Sequence, residues 1–220
     1  MEPWNTKKEE HMTNKLNKSA GTQVFLIPSR KSTLSSNPVD ITPLNGTGKF
    51  VWSKAANLDD FEKEWSMKPV TVKGMFDHMN ELQIYKENRG EKGVEVITPF
   101  YTHLNEKGEE CGILVNRGWV PLDLKDMKLH LNGVTTGTIT GVLYRGDADT
   151  KYSVPNSPTI KHYTTVRPKE LALLNKMNNR EEASQFMLYM IDTNDDERQI
   201  LPNVPNKEEL TTFRNSPERH

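Results

Sequence analysis

Residues 113–121, with the sequence ILVNRGWVP, constrain the fold more than any other part of the chain. The first three are all apolar, so both faces of an extended strand would be buried there, which is typical of a central strand. Gly118 predicts a bulge or a close backbone approach that re-aims Trp119, and Pro121 ends the pairing. A period of two places four side chains on one face, namely Ile113, Val115, Arg117 and Trp119, and Leu114, Asn116, Gly118 and Val120 on the other.

Arg117 decides how this strand is interpreted. A guanidinium within a core must meet a carboxylate or carbonyl groups, and it can also stack on an aromatic ring. Two interpretations stay open. Arg117 and Trp119 either present a contact surface to a partner, or they are satisfied internally and fix the sheet.

Short segments of alternating or continuous apolar residues follow Pro69, separated by clusters of turn residues. They predict a mainly β (α+β) fold, an antiparallel sheet or barrel-like domain with one or two short helices. Residues 105–110, with Gly108, are expected to form a hairpin, and Asn132-Gly133 is a second turn signal. The predicted strands are 70–76, 82–85, 94–101, 111–120, 138–145, 160–166 and 186–191.

Two segments have helical spacing instead. Asn57 is a suitable N-cap for a helix over residues 58–65, and Pro168 fits the first position of a second helix that Asn178-Asn179 would end. Their apolar stripes are expected to pack against the core rather than to hold a cofactor. These stripes are Leu58, Phe61 and Trp65 in the first helix, and Leu171, Leu174 and Met177 in the second.

Composition limits the remaining possibilities. Hydrophobic residues make up 34% and charged residues 27%, so part of the chain is expected to pack no core, and we predict an extended or disordered N-terminal arm over residues 1–57. The 29 Lys and Arg nearly balance the 30 Asp and Glu, which argues against nucleic-acid binding. No apolar stretch approaches the roughly 20 residues of a membrane helix, and no signal peptide is expected. Cys111 is interpreted as a small buried hydrophobe.

Signatures of catalysis are absent. The run PLNGTGKF at residues 43–50 lacks the first glycine and the hydroxyl of a phosphate loop and is read as a turn. An enzyme acting on a small molecule is therefore the weakest functional class, and we predict no enzymatic activity. Of the six histidines, His78 and His162 lie inside the predicted domain and are candidate haem ligands, with structural histidines as the alternative.

Several motifs, taken in order, resemble the surfeit locus protein 1 family, the assembly factors of cytochrome c oxidase. The chief ones are the strand containing Asn116-Arg117-Gly118-Trp119 and the turn Phe76-Asp77-His78. The resemblance covers residues 58–215. The other matching segments are KPVTVKG at 68–74, Glu81-Leu82, VITPF at 96–100, GVLYR at 141–145, PNSP at 155–158, Ile191-Asp192 and Arg214-Asn215.

The resemblance implies three parts: the arm 1–57, the family domain 58–215 and a tail 216–220. It implies a non-catalytic assembly factor or retained accessory subunit of mitochondrial cytochrome c oxidase (respiratory complex IV). Such a protein would bind oxidase subunits, including subunit 1 or its neighbours, on the intermembrane-space side of the inner membrane. Family members carry flanking membrane helices that this sequence does not show, so attachment through partner chains is expected. Some relatives are associated with haem a, which makes haem handling the alternative function.

Overall fold

The computed structural model describes residues 37–125, 136–148 and 153–191 of the 220-residue chain. Its strands form one sheet, accompanied by short helices, which confirms the mainly β (α+β) class. The strands are β1 (Val39–Asp40), β2 (Pro69–Phe76), β3 (Leu82–Asn88), β4 (Glu91–Leu104), β5 (Glu110–Pro121), β6 (Thr136–Tyr144) and β7 (Met187–Met190).

The sheet closes on itself. Its order is β1-β2-β6-β7-β5-β4-β3, and a further pairing joins β2 to β4. The strands β2, β6, β7, β5 and β4 therefore form a barrel-like ring. β1 pairs with β2 and β3 pairs with β4, but neither strand is part of the ring. The pairs β1–β2 and β5–β7 are parallel, and the others are antiparallel. β5 lies between β7 and β4, the central position that its apolar start predicts.

The main core lies on the inner face of the ring. Period-two alternation directs one set of side chains from each strand inward, where they exclude water from each other. All members of this set are buried: Val70, Val72 and Phe76 from β2, Phe100 from β4, Ile113 and Val115 from β5, Ile139 and Leu143 from β6, and Leu188 from β7.

Helix α1 (Leu58–Trp65) begins and ends as its sequence predicts. The Asn57 side-chain oxygen accepts hydrogen bonds from the backbone N–H groups of Asp59 at 2.8 Å and Asp60 at 3.4 Å, which satisfies two donors that the helix leaves unpaired. Phe61 is buried and stacks on Trp65 at a ring-centroid distance of 5.2 Å. The predicted apolar stripe thus faces the core.

Helices α2 (Pro168–Leu174) and α3 (Arg180–Ala183) contribute to a second core on the outer face of β3, β4, β5 and β7. Pro168 is at the start of α2 as predicted, but the helix ends before Met177 because Lys176 has a left-handed φ of 50°. Met177 is nevertheless buried. Asn179, expected to end a helix, instead precedes α3.

The predicted strand over residues 160–166 is wrong. A short 3-10 turn occupies Pro158–Ile160, Lys161 is left-handed, and only isolated bridges at His162 and Tyr163 follow. Side chains replace a neighbouring strand here, because the Asn156 Oδ1 atom accepts hydrogen bonds from the Thr164 and Thr165 backbone. β-Branched residues in this segment therefore do not indicate ladder pairing.

Residues 37–57 of the predicted arm contribute to the core. Ile41, Phe50 and Trp52 are buried, and the rings of Phe50 and Trp52 stack at 4.5 Å. The division into 1–57, 58–215 and 216–220 stays a prediction. Residues 1–36, the Asn132-Gly133 turn, Asp192, Arg214-Asn215 and the tail 216–220 lie outside the described residues.

Candidate functional site

Strand β5 carries a bulge at Gly118. Trp119 pairs with Glu95 and Asn116 pairs with Ile97, so β5 advances three residues where β4 advances two. Gly118 has a φ of 116°, a region that favours glycine because it has no Cβ atom. The bulge predicted at this position is confirmed.

The bulge corrects the predicted faces of the strand. Residues that pair directly across a ladder share a face, so Trp119 shares that of Asn116 and Val120 that of Val115. The expectation that Arg117 and Trp119 lie on one face is therefore wrong. The extra residue reverses the alternation, and the two side chains meet different surroundings.

Arg117 lies within a compact cluster. Its Nη1 atom is 3.0 Å from Glu81 Oε2 and 3.3 Å from His78 Nδ1, and its guanidinium carbon is 5.1 Å from the centre of the Phe76 ring. The Glu81 carboxylate also accepts from the Thr98 hydroxyl at 3.3 Å. Burial lowers the pKa of Arg117, and Glu81 opposes that shift. The partners predicted for a core arginine, a carboxylate and a ring, are both present.

The Trp119 side chain makes its contacts outside the Arg117 cluster. Its indole N–H donates to the backbone oxygen of Lys86 at 3.1 Å, and its ring covers Gly93, where a Cβ atom would lie 2.3 Å from the indole. Glycine is therefore required at residue 93 for the tryptophan to pack. Both Arg117 and Trp119 are buried with internal partners, and their contact with another protein stays a prediction.

A half-buried glutamate that the sequence did not indicate, Glu95, lies on the face of Asn116 and Trp119. The Tyr189 hydroxyl donates to Glu95 Oε1 at 3.0 Å, and the Asn116 Oδ1 atom accepts from the Gly118 backbone N–H at 3.0 Å. Burial raises the pKa of Glu95, against the attraction of Lys86. The pair of β5 with β7 that assembles this group is long-range, so no local pattern reveals it.

The end of β2 and the turn that follows it place Phe76, Asp77 and His78 at the Arg117 cluster. Asp77 receives hydrogen bonds from the Met79 backbone at 3.2 Å and from the Asn80 side chain at 2.7 Å. His78 stacks on Phe76 at 5.5 Å. The structure therefore brings Phe76, His78 and Arg117 together, with Asp77 shaping the turn that holds them.

The two haem candidates occupy different surroundings. His78 is covered by Phe76 and faces the Arg117 cation, whereas His162 is exposed and stacks on Tyr85 at 4.8 Å. Neither of them lines the surface cleft formed by the 43–50 turn, the β4–β5 hairpin and α3. Haem binding at either histidine stays a prediction, and we assign no step to haem.

The cleft, with a volume of about 760 Å³, has residues from the 43–50 turn, the β4–β5 hairpin and α3 along its walls. His103 and Cys111 lie in it as direct partners across β4 and β5. Thr102 Oγ1 is 2.8 Å from His103 Nδ1. Burial lowers the pKa of His103 and raises that of Cys111, which favours a neutral ring and a protonated thiol. The buried position predicted for Cys111 is confirmed.

Within the described ranges, no group of three His, Cys, Asp or Glu side chains could hold a metal ion. The pairing of His103 with Cys111 follows from the register of the hairpin predicted at residues 105–110, so the sequence contained a signal for this pair.

Among the residues that the structure describes, no helix combines the length and apolar composition needed to cross a membrane.

Acidification should weaken the fold through His103. Burial lowers its pKa, whereas the unfolded chain binds a proton near the ordinary value of about 6.5. The stabilisation by the neutral ring is therefore complete above about pH 6.5 and is lost as the pH falls through the lowered pKa. Urea unfolding near pH 7.5 and pH 5.5 should show the advantage of wild type over His103→Gln shrinking at the lower pH.

A matched control is Thr47→Ala, which alters the same cleft without removing a titratable group. Its difference from wild type should be equal at the two pH values. A wild-type advantage over His103→Gln that stays constant or grows on acidification would contradict the role given to His103. Glu182 attracts the protonated ring and makes the change smaller, not opposite in sign.

The fold and the site together define a closed β-barrel domain built on the bulged strand β5 and its internal Arg117–Glu81 ion pair. Comparison with family models gives a match to the SURF1 family over residues 18–219. The chain belongs to the SURF1 family.

Two curated relatives share part of this sequence. Surfeit locus protein 1 of Gallus gallus is 36% identical over 125 residues, which cover 49% of this chain and 34% of that protein. Surfeit locus protein 1-like of Arabidopsis thaliana is 32% identical over 112 residues, covering 41% of this chain and 29% of that protein. The matched region is thus about a third of the length of these relatives.

Proposed function

We propose that this chain acts as a non-catalytic assembly factor or retained accessory subunit of mitochondrial cytochrome c oxidase. It does so by binding oxidase subunits, including subunit 1 or its neighbours. The observation that carries the proposal is the match to the SURF1 family over residues 18–219. The role in oxidase assembly follows from the family resemblance of the Phe76–His78 turn and the β5 strand.

The chemistry of the described side chains supports a binding role. Arg117 is engaged by Glu81, and Trp119 by the Lys86 backbone, so neither is poised to act on a substrate. The Cys111 thiol has a raised pKa and is buried, which opposes the thiolate that a nucleophile requires. We further propose that the domain works on the intermembrane-space side of the inner membrane, attached through oxidase subunits.

Depletion of the protein in its source organism tests this function. We expect the amount of assembled oxidase and its cytochrome c oxidation rate to fall together, because unassembled subunits do not support turnover. The wild-type chain should restore both. Unchanged oxidase levels after complete depletion would contradict the proposal.

A further inference from the structure

The 43–50 turn, which forms one wall of the cleft, is anchored in the core only at its ends. Pro43 and Phe50 are buried, whereas residues 44–49 between them are exposed or half-buried. A segment with few buried contacts between two fixed ends belongs to the part of a protein that opens most easily.

Hydrogen bonds to the end of β4 hold the middle of this turn. The Gly46 N–H donates to the Leu104 oxygen at 2.8 Å, and the Leu104 N–H donates to Asn45 Oδ1 at 2.9 Å. At Gly48 an added Cβ atom would lie 1.9 Å from the Leu44 backbone oxygen, so the turn is folded tightly on itself. It can therefore separate from β4 as one unit when these bonds break.

The His103 ring is buried where the turn meets the β4–β5 hairpin. It lies edge-to-face with Phe50 at a centroid distance of 5.9 Å, and Gly48 is close enough for its backbone to raise the pKa of His103. On the strand side, Thr102 Oγ1 is 2.8 Å from His103 Nδ1 and 3.3 Å from the Cys111 oxygen. The hydroxyl can donate to either, so it serves both the neutral and the charged ring.

The charged groups around the cleft do not replace water for a protonated ring. Glu182 attracts it, yet burial dominates and lowers the pKa of His103, while burial raises the pKa of the Cys111 thiol and keeps it neutral. The other charged residues of the cleft are exposed and of both signs: Lys49, Glu106, Lys107, Arg180 and Glu181. A protonated His103 therefore gains most by reaching solvent.

We propose that the 43–50 turn is a pH-sensitive cover of the cleft, which opens when His103 takes up a proton from solvent. Opening brings water to the charged ring and exposes the cleft floor, while the barrel stays folded. The turn opens rather than the β4–β5 pair because a continuous ladder holds the two strands together. This device is additional to the binding role proposed above.

Thiol labelling of the purified full chain tests the cover. Cys111 is the only cysteine of the sequence and is 2% exposed, so its reactivity reports the opening. Its rate with 4,4′-dithiodipyridine is measured at pH 7.5 and pH 5.5 and divided by the rate of glutathione at the same pH, which corrects for thiolate content.

The normalised rate should rise on acidification. An exposed histidine with a pKa of about 6.5 limits the gain in opening between these two pH values to about tenfold. Glu182 and the Gly48 backbone also favour the charged ring in the closed state, which makes the gain smaller. We expect an increase of at least about threefold.

Three variants separate the proton from the turn. His103→Gln cannot take up a proton and should give the same normalised rate at both pH values. Asn45→Ala removes the acceptor of the Leu104 N–H and should raise the rate at both pH values while keeping the increase on acidification. Thr47→Ala changes an exposed side chain of the same turn and should behave as wild type.

Amide hydrogen exchange of the wild-type chain gives a second measurement that depends on no variant. After correction for intrinsic rates, the N–H groups of Gly46 and Leu104 should exchange faster at pH 5.5 than at pH 7.5. Amides of the β2–β6 ladder should not, because the barrel stays folded. This measurement decides the matter if His103→Gln does not fold, which thermal unfolding shows.

Several results would overturn the inference. Wild type could label equally fast at the two pH values, or His103→Gln could show the same increase. Labelling that accelerates steeply in low concentrations of urea would identify global unfolding as the route to Cys111. Exchange that becomes faster throughout the β2–β6 ladder, or that leaves Gly46 and Leu104 unchanged, would equally contradict a local opening of the turn.

Discussion

Replacing Glu81 by alanine should destabilise the domain by about 3 kcal/mol. The substitution leaves the Arg117 guanidinium in the core without its carboxylate, and loss of one member of a buried ion pair costs about 3–5 kcal/mol. The lower end applies because 18% of the Glu81 side chain remains exposed, against 8% for Arg117. Urea unfolding at neutral pH measures the change from the transition midpoint.

Two further variants show whether the cost comes from the unpaired charge. Glu64→Ala breaks an exposed ion pair with Lys68 on the protein surface and should change stability by less than about 0.5 kcal/mol. Arg117→Met combined with Glu81→Leu removes both charges and should recover at least half of the loss. If Glu81→Ala and Glu64→Ala have equal effects, Arg117 does not depend on Glu81.

Replacing Gly118 by glutamate should prevent stable folding. A side chain at a φ of 116° adds strain of about 1–3 kcal/mol, and a carboxylate would also be buried in the middle of the sheet without a partner. The sum approaches the entire net stability of a small domain, about 5–15 kcal/mol. We expect the variant to be recovered as unfolded or aggregated protein by circular dichroism and gel filtration.

Gly90→Glu is the matched control for this substitution. Gly90 also has a positive φ, 82°, but it lies at a hairpin turn where an added Cβ atom meets nothing within 4 Å. It should therefore fold, with a loss of about 1–3 kcal/mol from strain alone. A folded Gly118→Glu variant with the stability of Gly90→Glu would contradict the bulge described for β5.

Much of the fold could be predicted because its signals are local. The alternation along β2 and along the first half of β5 identifies the side chains that line the core, and the Asn57 cap identifies the start of α1. The hairpin at residues 105–110 forms as expected, with Gly108 at a φ of 76° and its N–H bonded to the Asn105 oxygen. Closure of the ring through β2 and β4 could not be predicted from local patterns, because it depends on pairing between distant segments.

The candidate site was predicted in kind rather than in detail. A carboxylate and an aromatic ring were expected around Arg117, but sequence spacing does not identify Glu81 as the carboxylate. The bulge at Gly118 was expected as well, yet its consequence, the transfer of Trp119 to the opposite face, requires the register with β4. Glu95 was missed because its partner, Tyr189, comes from a distant strand, whereas the His103–Cys111 pair follows from the register of the 105–110 hairpin.

The central claim, that this SURF1-family chain binds cytochrome c oxidase, is tested most directly by native electrophoresis of gently solubilised mitochondrial membranes. Probing one gel for this chain and for oxidase subunit 1 shows whether they migrate together. We predict that this chain appears in bands that also contain subunit 1, and that these bands are lost on its depletion. A chain found only in a soluble pool free of oxidase subunits would contradict the account.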